Sequence, residues 1–262
     1  MKNEIRTILK STAIMIAITS SSFSLQAHES PVETVSASLG TEKNYEIVRL
    51  EKAIAFKAEW QKVLNMAVSV YNEMGLADSG LSQKAFEYAW IGYYKLQKKG
   101  LLHNTSVLSI CDFSQSSSQK RMYIIDVDNK KLLFQTFVAH GEKSGREFAN
   151  SFSNVDESNK SSLGFYITSN TYYGCNGLSL RIDGVDKGYN DHAKRRNIVV
   201  HGAPYLCPRI LSKYGVMGTT FGCPAIPDEM SPQIIPVIKD GTCLFIYYPL
   251  KKYLDESTVL NG

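Results

Sequence analysis

Two short stretches hold the residue types best able to do chemistry. Asn197-Ile-Val-Val-His-Gly-Ala203 is a β-branched run closing on His201-Gly202, and Thr220-Phe-Gly-Cys-Pro-Ala225 sets Cys223 between a glycine and a proline. A thiol attacks as its thiolate, and a free cysteine is mostly protonated at neutral pH, so it needs a base. An imidazole suits that role because it titrates near the working pH. His201 and Cys223 are far enough apart for two strand ends joined by a loop to bring them together. Gly222 removes a Cβ beside the thiol, which lets a substrate carbonyl approach. Pro224 biases Cys223 toward extended backbone. Backbone N–H groups around Gly222 and Cys223 can then hold an oxyanion. The plainer reading is that Cys223 is a small buried hydrophobe and His201 a satisfied structural residue.

Positioning such a pair calls for a rigid frame, and the chain supplies two kinds of element. Tyr45 to Met74 has Ile47, Leu50, Ile54, Leu64, Ala67 and Val68 near helical spacing. Gly75 to Gly80 breaks it. Ser82 is an N-cap for a second helix carrying Phe86, Ala89, Trp90, Tyr93 and Leu96 on one face, ending at Lys98-Lys-Gly100. That aromatic face imitates a sugar platform, but its spacing fits packing against the following domain.

From Thr105 the period changes. Val107–Cys111, Arg121–Asp126 and Lys131–Val138 are short runs of β-formers, with Asp128-Asn-Lys130 as a hairpin turn. Leu163–Thr168, Leu178–Ile182 and Gly241–Tyr248 read as further strands, and Ser231–Ile238 as a short helix or turn. Gly141 to Ser162 is a long polar segment, either a solvated loop or a lid or wall of a site. His140 precedes it and either reaches the site or makes a structural hydrogen bond at a strand end. Asp186 to Arg196 is polar and charged and holds His192. Tyr205 to Thr219 links the two reactive stretches.

Composition excludes several classes. Hydrophobic content of 44% and charged content of 21% are ordinary for a globular chain of 262 residues. Of the formal charge of +4, Lys2, Arg6 and Lys10 against Glu4 contribute +2, and the remainder is too small to indicate nucleic acid. Residues 1–27 read as a signal peptide: a basic start, the apolar run from Ala13 to Ile18, and Leu25-Gln-Ala27 as a cleavage site. That run is far shorter than the ~20 residues a bilayer requires, so stable membrane insertion is not expected. Residues 28–44 read as a flexible leader, 45–101 as a helical segment, 102–250 as the catalytic domain and 251–262 as a mobile tail. Export permits disulfides. Five cysteines leave at least one free; Cys111 with Cys243, and Cys175 with Cys207, are open pairings. No Cys-x-x-Cys and no His pair at helical spacing point to metal. No repeat, P-loop or dinucleotide fingerprint is present.

The order of motifs resembles the murein L,D-transpeptidase catalytic domain family of bacterial peptidoglycan. The signature His-Gly, loop, Ser/Thr-x-Gly-Cys stands here as His201-Gly202 and Thr220-Phe221-Gly222-Cys223, continuing Gly222-Cys-Pro-Ala-Ile-Pro227. Asp112-Phe-Ser114, Val138-Ala-His-Gly141, Ser151-Phe-Ser-Asn154, Ser161-Ser-Leu-Gly-Phe-Tyr166, Tyr173-Gly174 and Leu178-Ser-Leu-Arg-Ile-Asp-Gly184 are similar to that branch, so the likeness runs from about Leu81 to Tyr248. Two positions depart from the wider family: Phe221 stands where His is frequent, and Ala225 where Arg or Asn is frequent.

The resemblance implies a mainly β (α+β) fold, an L,D-transpeptidase-like β-sandwich behind the helical segment. It implies acyl transfer through Cys223, with His201 as base and Gly222, Thr220 and Gly202 supporting the site. Substrate contacts are expected from Arg181, Ser161, Tyr173 and His140; Arg181 would grip a stem-peptide carboxylate, its alternative being a solvated strand face. The implied partner is the peptidoglycan stem peptide, with no cofactor, and the implied location the periplasm or envelope. An amine acceptor gives a cross-link between diaminopimelate residues. Water would instead give an L,D-carboxypeptidase or a hydrolase detaching wall proteins. A catalytically inactive wall-binding module and a cysteine endopeptidase are the readings of other classes.

Overall fold

The computed structural model describes residues 33–262, with side chains from 44 onward. The stretch read as a signal peptide lies outside them. Helix α1 spans Glu33–Glu73 and α2 spans Gln83–Lys98. The polar segment read as a flexible leader is therefore helical over 33–43: after Pro31 no proline interrupts it, and Gly40 alone is tolerated at a modest cost. One compact unit of the chain ends at Lys52, and the other is Ala53–Gly262. Every side chain from Asn44 to Lys52 is exposed, and Ile54 is too. The helical period of Ile47, Leu50 and Ile54 thus marks a helix but not a buried face. Burial begins at Val63 and continues through Ala67, Val70 and Tyr71. No helix among the described residues is long and apolar enough to cross a membrane.

Ser82 caps α2 as expected, its hydroxyl accepting from Ala85 N at 3.3 Å, and Gly100 takes a left-handed φ of +67° after the last turn. Phe86, Ala89, Trp90, Tyr93 and Leu96 are all buried. Phe165 from the sheet fills the space that a side chain at Gly92 would occupy, and stacks on Phe245 with centroids 4.1 Å apart. The aromatic face of α2 is a packing face.

Eight strands follow: β1 (Val107–Asp112), β2 (Met122–Asp126), β3 (Lys131–Thr136), β4 (Gly164–Gly174), β5 (Gly177–Gly184), β6 (Val199–Ala203), β7 (Ala225–Pro227) and β8 (Cys243–Tyr247). They bond in the order β3-β2-β1-β8-β4-β5-β6-β7 as one mixed sheet. The chain is thus mainly β behind a helical segment, an α+β fold. Pairs β1–β8 and β6–β7 are parallel. The principal core covers both faces of this sheet: α2 packs on the face of Phe165, Phe245 and Tyr247, and α4 (Ser231–Ile238) on the face of Leu180, Ile182 and Val200. A smaller apolar cluster of Ala139, Ala203, Leu206, Met217 and Ala225 covers the face of β6 and β7 opposite α4. Leu206 and Met217 thereby anchor the linking segment, which contains the short helix α3 (Pro208–Tyr214).

The C-terminal residues are not a loose tail. They form α5 (Lys251–Glu256) and α6 (Thr258–Asn261), with Tyr253, Val259 and Leu260 buried. Asp186 holds them: its buried carboxylate accepts from Tyr253 OH (2.9 Å), Ser257 Oγ (2.6 Å), Val259 N (3.2 Å) and Phe165 N (2.9 Å). All five cysteines are free thiols. Cys111 and Cys243 lie on adjacent strands but out of register, since Cys243 pairs with Leu108 and Cys111 with Ile246.

Candidate active site

Strand β6 has two faces. Val200 points into the principal core, so alternation turns Val199 and His201 to the other side. His201 pairs with Ser179 on β5 and with Ala225 on β7; Val199 pairs with Arg181. Stepping back two residues from Ala225 brings Cys223 beside Val199, and the Val199 N–H donates to Cys223 Sγ at 3.5 Å. A strand spacing of about 4.8 Å and a two-residue rise of about 6.6 Å then put His201 and Cys223 about 8 Å apart at Cα, on one face. In the resting arrangement the thiol leans on the Asn197 carbonyl, 3.8 Å away.

The tautomer of His201 follows from its partner. Its Nδ1 lies 2.7 Å from the Gly202 carbonyl, which can only accept, so Nδ1 carries the proton and Nε2 is left basic. A backbone carbonyl, not a carboxylate, therefore orients this imidazole. Burial lowers the His201 pKa, and the Gly202 hydrogen bond partly offsets that. Burial raises the Cys223 pKa, against smaller opposing effects of the Val199 N–H and the Arg196 charge. Both groups are thus neutral at rest, and the proton must move when a substrate is attacked.

The turn that carries Cys223 is fixed from two sides. Thr220 Oγ1 donates to Cys223 O at 2.8 Å and accepts from Gly222 N at 3.0 Å. The Gly222 amide is consequently occupied, and Cys223 N–H, which donates to no acceptor among the described residues, is the amide left for an oxyanion. Thr220 N donates to His140 O (2.9 Å), and Thr220 O accepts from Glu142 N (2.7 Å). Gly222 has φ +131°, and a Cβ there would stand 2.9 Å from Lys160 O and 3.0 Å from Ile198 Cδ1. Gly202 is glycine for a different reason: a Cβ would meet Asp228 Oδ1 at 2.4 Å.

The remaining expected residues divide. Arg181 is exposed on the site face of β5, its guanidinium 4.2 Å from the Tyr172 ring centroid. It borders a cleft of about 550 Å³ lined also by Tyr172, Asp183, Lys194, Asn197 and Val199. A smaller cleft of about 330 Å³, lined by Phe56, Trp60, Tyr94 and Lys95, shares no residue with the site. Tyr173 is 84% exposed near the β4–β5 turn.

Ser161 and His140 are buried and do not present themselves to a ligand. Ser161 Oγ accepts from Gly141 N (3.0 Å) and donates to Gly222 O (3.2 Å), so it braces the turn. His140 Nδ1 accepts from Arg121 Nη2 at 2.6 Å, and its Nε2–H donates to Gly145 O at 2.9 Å. Burial, with the Arg121 charge, depresses its pKa to about 4. Its role is the structural hydrogen bond at a strand end.

Arg196 escaped the sequence reading. It sits at the end of a charged loop segment, and no spacing rule singles it out. Its guanidinium donates to Ser153 O (2.8 Å), Lys160 O (2.7 Å), Ser158 Oγ (3.1 Å) and Ser162 Oγ.

With this geometry in view, the comparisons are direct. The L,D-transpeptidase catalytic domain family matches residues 77–247, well over half of the chain. No curated protein matches it by sequence. Among solved structures it is similar to an L,D-transpeptidase from Mycobacterium smegmatis (11% identity, 55% of this chain and 59% of that one, TM-score 0.33). It is also similar to the helical cell shape determining protein Pgp2 from Campylobacter jejuni (16%, 59% and 54%, 0.33). A third is the L,D-transpeptidase from Xylanimonas cellulosilytica, residues 123–326 (12%, 71% and 93%, 0.31). The chain thus spans about 59% of the length of the first of these. On the match over residues 77–247, this chain belongs to the L,D-transpeptidase catalytic domain family.

Proposed function

We propose that this chain is a cysteine L,D-transpeptidase acting on peptidoglycan stem peptides. The observation that supports the reading is Cys223 Sγ against Val199 N, two residues before His201 on β6, with His201 Nδ1–H tied to Gly202 O so that Nε2 is basic.

His201 Nε2 takes the proton from Cys223 Sγ as sulfur attacks the carbonyl between diaminopimelate and the terminal D-Ala of a tetrapeptide stem. Cys223 N–H stabilises the oxyanion, and Val199 N–H stabilises the departing negative charge on sulfur when the intermediate collapses back. In the forward collapse the C–N bond breaks, His201 returns the proton to the leaving amine, and D-Ala departs. A thioester on Cys223 remains. The amine of a neighbouring stem attacks it and gives its proton to His201; the C–S bond then breaks, His201 passes the proton to sulfur, and the Cys223 thiol is regenerated with a new amide cross-link formed. Arg181, on the same face and beside the cleft, grips a carboxylate of the stem. The basic and then apolar start of the chain supports action outside the cytoplasmic membrane.

The test is mass spectrometry of tetrapeptide muropeptides incubated with the protein and with Cys223→Ala. A dimer that has lost one D-Ala, absent with the variant, is the expected result. Tripeptide monomers alone would make water the acceptor and the protein a carboxypeptidase. No Cys223-dependent change would leave a wall-binding module.

A further inference from the structure

Arg196 precedes β6, and its side chain reaches back under the polar segment 141–162 rather than into solvent. Four of its hydrogen bonds run to that segment: two to the carbonyls of Ser153 and Lys160, two to the hydroxyls of Ser158 and Ser162. Ser162 Oγ in turn donates to Ser153 O at 2.8 Å, so the guanidinium sits at the centre of a closed network. The fork has a second neighbour. Arg196 Nη2 lies 3.4 Å from where a Cβ of Gly222 would be, and Lys160 O, which Nη2 holds, lies 2.9 Å from the same point. The same end of the segment also meets that turn through Ser161 Oγ and Gly222 O, and its other end does so through Glu142 N, which donates to Thr220 O at 2.7 Å. An arginine suits this junction because its planar five-donor fork can bind several acceptors while staying charged.

We propose that Arg196 is the positioning residue of the nucleophile: it clamps the 153–162 segment onto Gly222 and leaves a fixed positive charge beside Cys223. This rests on Cys223 being the nucleophile, and it deepens that reading. Segment 141–162 is thereby a wall of the site rather than a solvated loop. The charge acts in the direction that favours the thiolate. The titratable and charged groups around the thiol are Arg196, His201 and the Tyr205 hydroxyl; Asp156, which faces Arg196, is paired with Arg195 at 2.9 Å.

The test needs no substrate. Iodoacetamide labelling of Cys223, resolved at the peptide level, is followed against pH for the protein, Arg196→Lys and Arg196→Met, with limited proteolysis of segment 141–162 in parallel. In Arg196→Met the labelling midpoint should move to higher pH, and labelling near neutrality should slow measurably. The segment should also become protease-sensitive. Arg196→Lys should keep most of the labelling behaviour and still loosen the segment, because a point charge cannot replace the fork. If Arg196→Met does not fold, the double variant Ser158→Ala, Ser162→Ala removes two acceptors and keeps the charge; its segment should be cleaved with labelling nearly unchanged. A folded Arg196→Met with the original labelling profile and an intact segment overturns the proposal, as does an intact segment in the double serine variant. Because labelling is independent of turnover, a failure of the transpeptidase reading would leave this result interpretable.

Discussion

Replacing His140 by glutamine removes a buried imidazole while keeping a donor and an acceptor on the side chain. In the folded protein the Arg121 guanidinium, which can only donate, faces Nδ1 of His140. Protonating that nitrogen would set two cations and two donors against each other in a site closed to water. The imidazole therefore stays neutral down to a pKa of about 4, against 6.5 when free. A lowered folded pKa means that the unfolded chain binds the proton first as pH falls. Stability from this group is fully present above 6.5 and drains as pH drops through that interval. At 1.36 kcal/mol per pH unit, the gap is about 3 kcal/mol by pH 4. Urea unfolding followed by tryptophan fluorescence, at about pH 7.5 and about pH 4, measures it. The protein should lose about 3 kcal/mol more than His140→Gln over that range, beyond the acid sensitivity both share. Equal pH dependence of the two proteins would refute the buried neutral imidazole.

Gly222→Ala should leave the protein folded but lower activity about a hundred-fold, because a Cβ at φ +131° meets Lys160 O at 2.9 Å and displaces the thiol by some tenths of an ångström or more; activity within two- or three-fold of the original would show that the turn tolerates the side chain. Arg181→Gln should raise KM roughly 10–100-fold with kcat little changed, the cost of one charge-assisted carboxylate contact; an unchanged KM would return Arg181 to a solvated strand face. The acid limb of kcat/KM should lie below pH 6.5, since burial lowers the His201 pKa; a limb well above that value would mean that His201 is not the base.

The parts of this molecule written in local pattern were legible in advance. Ser82 as a cap, the buried face of α2 and the β-branched runs of β1, β2 and β6 are all set by side chains acting over a turn or a strand. That the two reactive stretches meet, His201 on β6 pairing with Ala225 on β7, was legible because glycine and proline mark the turn. What the pattern misled on was burial over distance. Ile47, Leu50 and Ile54 recur helically, yet all three are exposed among the described residues. Ser161 and His140 carry chemistry-bearing side chains, but both bond to the backbone of the Cys223 turn and its flank. The C-terminal helices depend on Asp186, more than sixty residues earlier, and no local signal announces such a carboxylate. Arg196 is the sharpest case, because its role exists only once segment 141–162 has folded over it.

The most direct measurement is the mass of the covalent intermediate. The protein incubated with a tetrapeptide stem and quenched in acid should carry a tripeptide acyl group, mapped to the peptide containing Cys223 and lost on treatment with hydroxylamine. Cys223→Ala should carry none, and His201→Ala should acquire it far more slowly. An adduct elsewhere, or release of D-Ala with Cys223 absent, would contradict nucleophilic catalysis by this thiol.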